Sequence, residues 1–145
     1  MILYLDTSAL IKLYVSEEHS ADVQKAAVTA ASLATSVLAY VETCAAFSRL
    51  RRGKFLTGSQ HDLARGRFIT DWSDLRRVEA TETQLARAAE LAEAFALRAY
   101  DSVHLAAADY LARVAGEPVL FACYDAALNK AARVLGLGLL HSHAR

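Results

Sequence analysis

The segment ILYLDTSAL, residues 2–10, places a short apolar run directly before an acidic residue. Ile2–Leu5 has the length and composition of a buried β-strand, and Asp6 follows it. The same kind of run recurs along the chain, separated each time by a longer segment. It predicts further strands at Ala34–Val37, Leu75–Ala80 and Val119–Cys123, and a fifth at Gly138–His141.

The segments between these runs have helical spacing. Thr81 and Gln84 have the pattern of a capping box before one helix, and Gly116 and Pro118 end another in the order typical of helix C-termini. Strands that alternate with helices predict an α/β fold with three layers, α/β/α, around a central, mostly parallel sheet of four or five strands. The apolar helix faces comprise Leu38, Val41 and Ala45; Leu85, Ala88, Ala89, Ala92, Phe95 and Ala96; and Val103, Ala106, Ala107, Tyr110, Leu111 and Val114.

Length and composition predict one globular domain over residues 1–145, with 54% hydrophobic and 22% charged residues. No apolar run approaches the roughly 18 residues of a membrane-spanning helix, and Asp6 interrupts the first run too early for a signal peptide. We therefore expect a cytoplasmic protein without membrane contact. Cys44 and Cys123 lack CxxC spacing, which argues against both a disulfide framework and a zinc site.

Four carboxylates stand at positions that a parallel sheet would bring together. Asp6 and Asp125 follow predicted strands, and Asp101 opens the helix whose apolar face begins at Val103. Ligands of such sheets collect beyond the carboxyl ends of the strands. Glu42 shares a helix face with apolar residues and has no basic residue three or four positions away. A carboxylate in that position needs a tertiary partner or a cation.

Each aspartate also has a simpler interpretation as a helix N-cap: Asp6 before a helix starting at Ser8, and Asp101 and Asp125 before later helices. Taken together, however, four converging carboxylates would repel one another without a cation. Mg²⁺ or Mn²⁺ would relieve that repulsion, since both prefer oxygen ligands and retain several waters. Such an ion suits phosphodiester hydrolysis, because it neutralises charge on the phosphate and activates an attacking water.

The residues around these carboxylates resemble the four motifs of PIN-domain nucleases, especially VapC-type toxins. The third stretch is the most specific of the four. Order and spacing agree with the family across essentially the whole chain. The matching stretches are LDTSAL (Leu5–Leu10), YVET (Tyr40–Thr43), YDSVHLAAA (Tyr100–Ala108) and FACYDAAL (Phe121–Leu128).

The resemblance implies a metal-dependent endoribonuclease with a PIN-like fold. It implies that Asp6 and Asp101 are the principal ligands of Mg²⁺ or Mn²⁺, and that Glu42 and Asp125 complete the acidic site directly or through water. Ser8 would bond a ligand or a metal-bound water. The family further implies an RNA substrate, a homodimer, and a cognate VapB-type antitoxin whose C-terminal segment occludes the site in a type II toxin–antitoxin pair.

One position departs from the family pattern. The family often has threonine or serine two residues before the last aspartate, whereas this chain has Cys123. A thiol is a weaker hydrogen-bond partner than a hydroxyl. We therefore expect either looser metal binding through Asp125 or a rearrangement of the groups that surround the metal ligands. His104, three residues after Asp101, either faces the site or packs as an ordinary histidine, and packing is the more common outcome.

Several alternatives remain within the same family. The domain could belong to a free-standing RNA-processing nuclease or to a non-catalytic PIN-like binding scaffold.

Three classes outside the family are disfavoured. Ser8 argues against a phosphatase of the haloacid-dehalogenase type, which needs a second aspartate there, and a phospho-acceptor receiver would need more acidic residues beside Asp6. The absence of GxGxxG disfavours a dinucleotide-binding enzyme.

A local basic surface must replace bulk attraction to nucleic acid, because the formal net charge is zero. One dense basic cluster meets this requirement. It serves either as cations that stabilise a helix C-terminus or as a contact to RNA phosphates, and both interpretations stay open. The cluster consists of Arg49, Arg51, Arg52 and Lys54.

Overall fold

A computed structural model describes residues 1–143, so residues 144 and 145 of the predicted domain lie outside the described part. Five strands form one sheet in the order β3-β2-β1-β4-β5, and every neighbouring pair is parallel. The predicted three-layer α/β/α class is therefore confirmed. The strands are β1 (Ile2–Leu5), β2 (Ser32–Ser36), β3 (Arg76–Val78), β4 (Val119–Ala122) and β5 (Gly138–Leu139).

All five predicted strands exist; β1 has the predicted bounds, and the other four differ from the prediction at one or both ends. The second strand begins at Ser32, two residues before the predicted start, because Ser32 and Leu33 pair with Ile2 and Leu3 of β1. Hydrogen bonding to a neighbour, rather than side-chain polarity, decides where a strand starts. A serine can therefore begin a strand that a hydropathy pattern would start later.

Within residues 1–143, seven α-helices surround the sheet. Two of them, α2 and α4, were not predicted. The α4 sequence has few apolar residues, and only Ala64 and Phe68 are buried, so its helical periodicity is weak. A capping box formed by Thr57 and Gln60 nevertheless starts it. The helices are α1 (Thr7–Ile11), α2 (Ser20–Thr29), α3 (Ala39–Arg52), α4 (Gly58–Asp71), α5 (Glu82–Phe95), α6 (Ala99–Val114) and α7 (Ala126–Val134).

The central strand β1 explains the three layers. All four of its residues are fully buried, and successive side chains point to opposite faces of the sheet. Ile2 and Tyr4 join a core formed with α5, α6 and α7. Leu3 and Leu5 join a second core formed with α1, α2, α3 and α4. Each face therefore requires its own layer of helices.

The helix faces were predicted only in part. The predicted face of α3 is wrong, because Val41 is 64% exposed and Ala45 is also exposed. Its buried residues are instead Ala39, Thr43, Ala46 and Phe47. Glu42 lies at the flank of this buried face, since it is three residues after Ala39 and four before Ala46. The carboxylate is thereby half-buried at the border of the core rather than inside it.

The ends of two other helices agree better with the sequence. Thr81 caps α5 by accepting a hydrogen bond from the Gln84 amide at 3.1 Å. The reciprocal bond of a capping box is absent within residues 1–143, where the Gln84 Oε1 atom has no partner. Gly116 follows α6 with a φ of 71°, the left-handed conformation that favours glycine at a helix end.

None of the helices in residues 1–143 combines the length and the apolar character that crossing a membrane requires.

Candidate active site

One pocket of about 360 Å³ contains all four predicted carboxylates. It lies beyond the carboxyl ends of β1 and β4, which are neighbours in the sheet, and the Asp6 amide continues their ladder by donating to the Ala122 carbonyl at 3.1 Å. Parallel pairing thus brings together the turns that follow two strands lying far apart in the sequence. The pocket is lined by Asp6, Thr7, Ser8, Ile11, Glu42, Arg49, Arg98, Ala99, Tyr100, Asp101, His104 and Asp125.

Asp6 is both a helix cap and the most deeply buried of the acidic residues. It caps α1, which begins at Thr7 rather than at Ser8 as expected. Its Oδ1 atom accepts hydrogen bonds from the Ala9 amide at 2.9 Å and the Ser8 hydroxyl at 2.7 Å. Burial raises the pKa of Asp6, and these bonds, with the attraction of His104, only partly counter that rise.

Ser8 connects the first acidic residue to the loop after β4. Its hydroxyl donates to Asp6 and accepts a longer bond of 3.4 Å from the Tyr124 amide. Tyr124 directly precedes Asp125 in the chain. Ser8 thereby helps to place the two strand-end aspartates relative to each other, in addition to bonding the Asp6 carboxylate.

Glu42 has the tertiary partners that its position demanded. Its Oε1 atom accepts from the Thr7 hydroxyl at 2.7 Å and lies 2.9 Å from His104 Nε2. Burial acts to raise the pKa of Glu42, but the bond and attraction to His104, the Thr7 bond and the nearby Arg49 outweigh it and lower the pKa. Glu42 is therefore held as a carboxylate.

His104 is both buried and directed at the site, so the packing interpretation was incomplete. It is 2% exposed, and its Nδ1 atom lies 2.9 Å from the Tyr4 hydroxyl. Burial raises the pKa of Tyr4 well above its usual value, so this hydroxyl keeps its proton and can donate. Nδ1 is thus engaged by Tyr4, and Nε2 lies within hydrogen-bond distance of both Glu42 and Thr7.

Asp101 is not a helix cap, which corrects the simpler interpretation of this residue. The N-cap of α6 is Arg98, and Asp101 lies inside the first helical turn. Its Oδ2 atom accepts a hydrogen bond from Arg98 Nε at 2.9 Å. A negative side chain in a first turn is also favoured by the helix dipole.

Asp125 does cap a helix, as the simpler interpretation proposed. Its Oδ2 atom accepts from the Leu128 amide at 2.8 Å at the start of α7. Cys123 occupies the position where the family often has a hydroxyl, and its sulfur accepts from the Asp125 amide at 3.2 Å. Burial and the nearby Asp6 carboxylate raise the pKa of the Cys123 thiol, which stays protonated. The thiol thus supports the turn before Asp125.

The donor set fits a partly hydrated, hard cation. Among residues 1–143, no three His, Cys, Asp or Glu side chains stand close enough to form a ready-made ligand cage. Mg²⁺ and Mn²⁺ do not require one, since Mg²⁺ typically uses one or two carboxylates and keeps several waters. The costly burial of Asp6 at the pocket supplies a physical reason for a cation there.

The main cation that sequence reasoning missed is Arg98. Arg98 precedes Asp101 by three positions, the spacing of an ion pair on a helix, and this spacing was the available signal. Within the predicted basic cluster, only Arg49 lines the pocket. It lies seven residues after Glu42, two turns along the same side of α3.

Four larger depressions, of about 430, 490, 600 and 660 Å³, lie elsewhere on the described surface. None of them contains any of the four carboxylates, and their linings bring together no comparable set of metal-binding groups. The acidic pocket is therefore the chemically distinctive one in the described part of the chain.

Comparison with known proteins connects this pocket to a family. The model of the PIN domain matches residues 3–134. Ribonuclease VapC45 of Mycobacterium tuberculosis (strain CDC 1551 / Oshkosh) is 34% identical over 136 residues, which cover 93% of this chain and 92% of the relative.

Two solved structures share the fold. FitAB bound to the IR36 DNA fragment has a TM-score of 0.69 at 16% identity and covers 99% of both chains. A toxin–antitoxin complex from Klebsiella pneumoniae has a TM-score of 0.57 at 15% identity and covers 81% of this chain and 83% of its own. At these identities, the likeness concerns the fold.

Proposed function

Since this chain belongs to the PIN-domain family, we propose that it is a metal-dependent endoribonuclease and the toxin of a type II toxin–antitoxin pair. The relative VapC45 is named a ribonuclease and matches nearly the whole chain. The observation that carries the proposal is the convergence of Asp6, Glu42, Asp101 and Asp125 in one pocket at the carboxyl edge of the sheet.

Asp6 and Asp101 are the residues that would hold the metal, with Glu42 and Asp125 as direct or water-mediated ligands. Mg²⁺ or Mn²⁺ bound there would neutralise charge on a phosphodiester and make water a better nucleophile. Only oxygen atoms are offered by these four side chains, and the buried Asp6 gains most from a cation.

The other residues of the pocket prepare the site for a polyanionic substrate. Thr7 and His104 orient the Glu42 carboxylate through two bonds and keep it ionised. Arg49 and Arg98 supply positive charge at the pocket that can bind RNA phosphates, so the site attracts a phosphate backbone despite its four acids.

Cleavage of RNA by the purified protein tests this proposal. We expect discrete fragments with Mg²⁺ or Mn²⁺, and none with EDTA. Asp101→Asn should abolish cleavage, because it removes a metal-binding carboxylate. The fold should be preserved, because Asp101 lies on the first turn of α6 and pairs there with the exposed Arg98.

Asp109→Asn is the matched control for this experiment. Asp109 lies on the same helix and pairs with Arg113 at 3.3 Å, but it does not line the acidic pocket. Its variant should cleave like the wild type. Undiminished cleavage by Asp101→Asn, or in the presence of EDTA, would contradict the assigned site. A folded protein that cleaves no RNA under any of these conditions would favour a binding scaffold.

The toxin assignment adds a protein partner. We propose a cognate VapB-type antitoxin that covers the acidic pocket, and the structural similarity to a toxin–antitoxin complex supports it. A free-standing RNA-processing nuclease would have no such partner. Co-expression with the product of a small neighbouring gene should yield a stable complex with suppressed nuclease activity. Cytoplasmic RNA would be the substrate of the free toxin.

A homodimer is the assembly that we propose for the toxin. Several large apolar side chains are more than half exposed, and a second subunit would cover part of this surface. Sedimentation equilibrium of the toxin without its antitoxin should give twice the mass of one chain. A single-chain mass at high protein concentration would contradict the dimer. These side chains are Val28, Val41, Phe55, Leu63, Val114 and Val134.

A further inference from the structure

Arg98 connects two of the four acidic side chains across the pocket. Its Nε atom donates to Asp101 Oδ2 at 2.9 Å, and its Nη2 atom lies 3.8 Å from Asp125 Oδ1. The two carboxylates belong to different elements, because Asp101 lies in α6 and Asp125 caps α7. One guanidinium group therefore neutralises acids that come together only in the folded chain.

The two sides of this contact differ in exposure. The Arg98 side chain is 78% exposed, whereas that of Asp101 is only 17% exposed. The carboxylate is thus largely covered by the protein, while the guanidinium approaches it from solvent. Exposed ion pairs contribute little net free energy, so Arg98 can leave Asp101 at small cost. The Asp101 bond also raises the pKa of Arg98, which remains charged.

We propose that Arg98 is a built-in counter-cation that competes with a divalent ion for Asp101 and Asp125. In the ion-free protein it reduces the repulsion between the acids. An approaching divalent ion has to displace the guanidinium from Asp101 Oδ2 and meets its positive charge. The inference rests on the proposed function, because it concerns the metal site of that nuclease.

Arg113 provides an internal comparison. It lies on the same helix as Asp101 and pairs with Asp109, with 3.3 Å between Nη2 and Oδ2. Its side chain is also mostly exposed, but neither residue lines the acidic pocket. Removing the Arg113 charge therefore changes the net charge by the same amount without removing a competitor from the site.

Calorimetric titration with Mn²⁺, in the absence of nucleic acid and at low salt, tests the competition. We expect Arg98→Gln to bind Mn²⁺ about two- to fivefold more tightly than the wild type, the range that loss of an exposed ion pair allows. Arg98→Lys keeps the charge and should remain near the wild type, as should Arg113→Gln. Added NaCl should narrow the difference, since salt screens exposed charges.

The outcomes separate this inference from the proposed function. Equal Mn²⁺ affinity of Arg98→Gln and the wild type would overturn the inference and leave the metal site intact. Equal tightening by Arg98→Lys and Arg98→Gln would also overturn it, because the charge would not be the cause. Absence of Mn²⁺ binding in every folded variant would overturn both proposals. Circular dichroism establishes that each variant is folded.

Discussion

His104 Nε2 lies 2.9 Å from Glu42 Oε1, although the two residues are 62 positions apart in the chain. The same ring bonds the Tyr4 hydroxyl through Nδ1. Because both of its ring nitrogens have partners, the imidazole is held in one orientation. The central strand β1 therefore orients an acidic side chain of the pocket through α6, and the core and the site are coupled at this residue.

This coupling predicts a non-additive effect on stability. We expect His104→Leu to lower the free energy of unfolding by about 1–3 kcal/mol, because it leaves the Tyr4 hydroxyl buried without a partner. In a Tyr4→Phe background the same substitution should cost less, since that hydroxyl is absent. Urea denaturation of the four proteins of this cycle measures the coupling.

Tyr40→Phe provides the control background for this cycle. Tyr40 contacts Phe68 and Trp72 on the opposite side of the sheet from His104. The cost of His104→Leu should be the same with and without the Tyr40 hydroxyl. An identical cost in the Tyr4→Phe background as well would show that the Tyr4–His104 bond does not stabilise the fold.

The pKa of Asp6 is raised and that of Glu42 is lowered, so the two carboxylates should affect the stability of the fold in opposite directions as the pH changes. The folded-state pKa of Asp6 is raised, so its ionisation destabilises the fold once the pH exceeds the unfolded value of about 3.9. Asp6→Asn keeps the helix cap and should raise Tm at neutral pH in metal-free buffer. The gain should shrink as the pH falls towards about 4.

Glu42→Gln should behave in the reverse sense. The folded-state pKa of Glu42 is lowered, so its charge stabilises the fold above its unfolded pKa, and this stabilisation is lost as the pH falls through the folded pKa. The variant should therefore be less stable than the wild type at neutral pH and approach it in acid. Melting curves across this pH range, with EDTA present, measure both variants; parallel behaviour of the two would contradict the assigned shifts.

Arg49 is expected to contact RNA, unlike its neighbours in the basic cluster. It lines the acidic pocket, whereas Arg51, Arg52 and Lys54 do not. Arg49→Gln should weaken RNA binding and lower the slope of log Kd against log salt concentration by about one, the effect of one lost phosphate contact. Fluorescence anisotropy measures RNA binding. All variants carry Asp101→Asn as well, which prevents cleavage during the measurement.

Arg51→Gln serves as the comparison in the same background. It removes one positive charge from the same helix end but from outside the pocket. A salt slope that falls equally for Arg49→Gln and Arg51→Gln would assign the effect to the general charge of the helix end. A difference between them would locate the phosphate contact at the pocket.

Phe68 is expected to be the most costly aromatic residue to truncate in the second core. It is fully buried and contacts Tyr14, Phe47 and Trp72 edge to face, with ring centroids 5.5, 6.1 and 5.5 Å away. Phe68→Ala should lower the free energy of unfolding by about 3–5 kcal/mol. Chemical denaturation measures this loss.

Phe55→Ala makes the same chemical change at the surface. Phe55 is 78% exposed, so its truncation should alter stability by about 0.5 kcal/mol or less. Similar losses for Phe55→Ala and Phe68→Ala would mean that burial in this core does not determine the contribution of the ring.

The sequence alone determined the class of fold and the identity of the acidic residues. Ile2–Leu5 is apolar throughout and is followed by Asp6, and these features are local: hydrophobic burial needs only the run itself and a neighbouring strand to pair with. The order of strands and helices then restricted the topology to a parallel sheet, whose carboxyl ends meet at one edge. Asp6 and Asp125 follow from that geometry.

The tertiary structure decided which groups touch. Glu42 meets Thr7 and His104, and Arg98 reaches Asp125, only after α3, α6 and α7 have packed against the sheet. A sequence pattern reports which face of a helix is apolar, but the contact between side chains on two helices depends on how those helices cross and on the register of the strands between them. Hydrogen bonds extend over about 3 Å, so they are decided by packing distances that no local pattern contains.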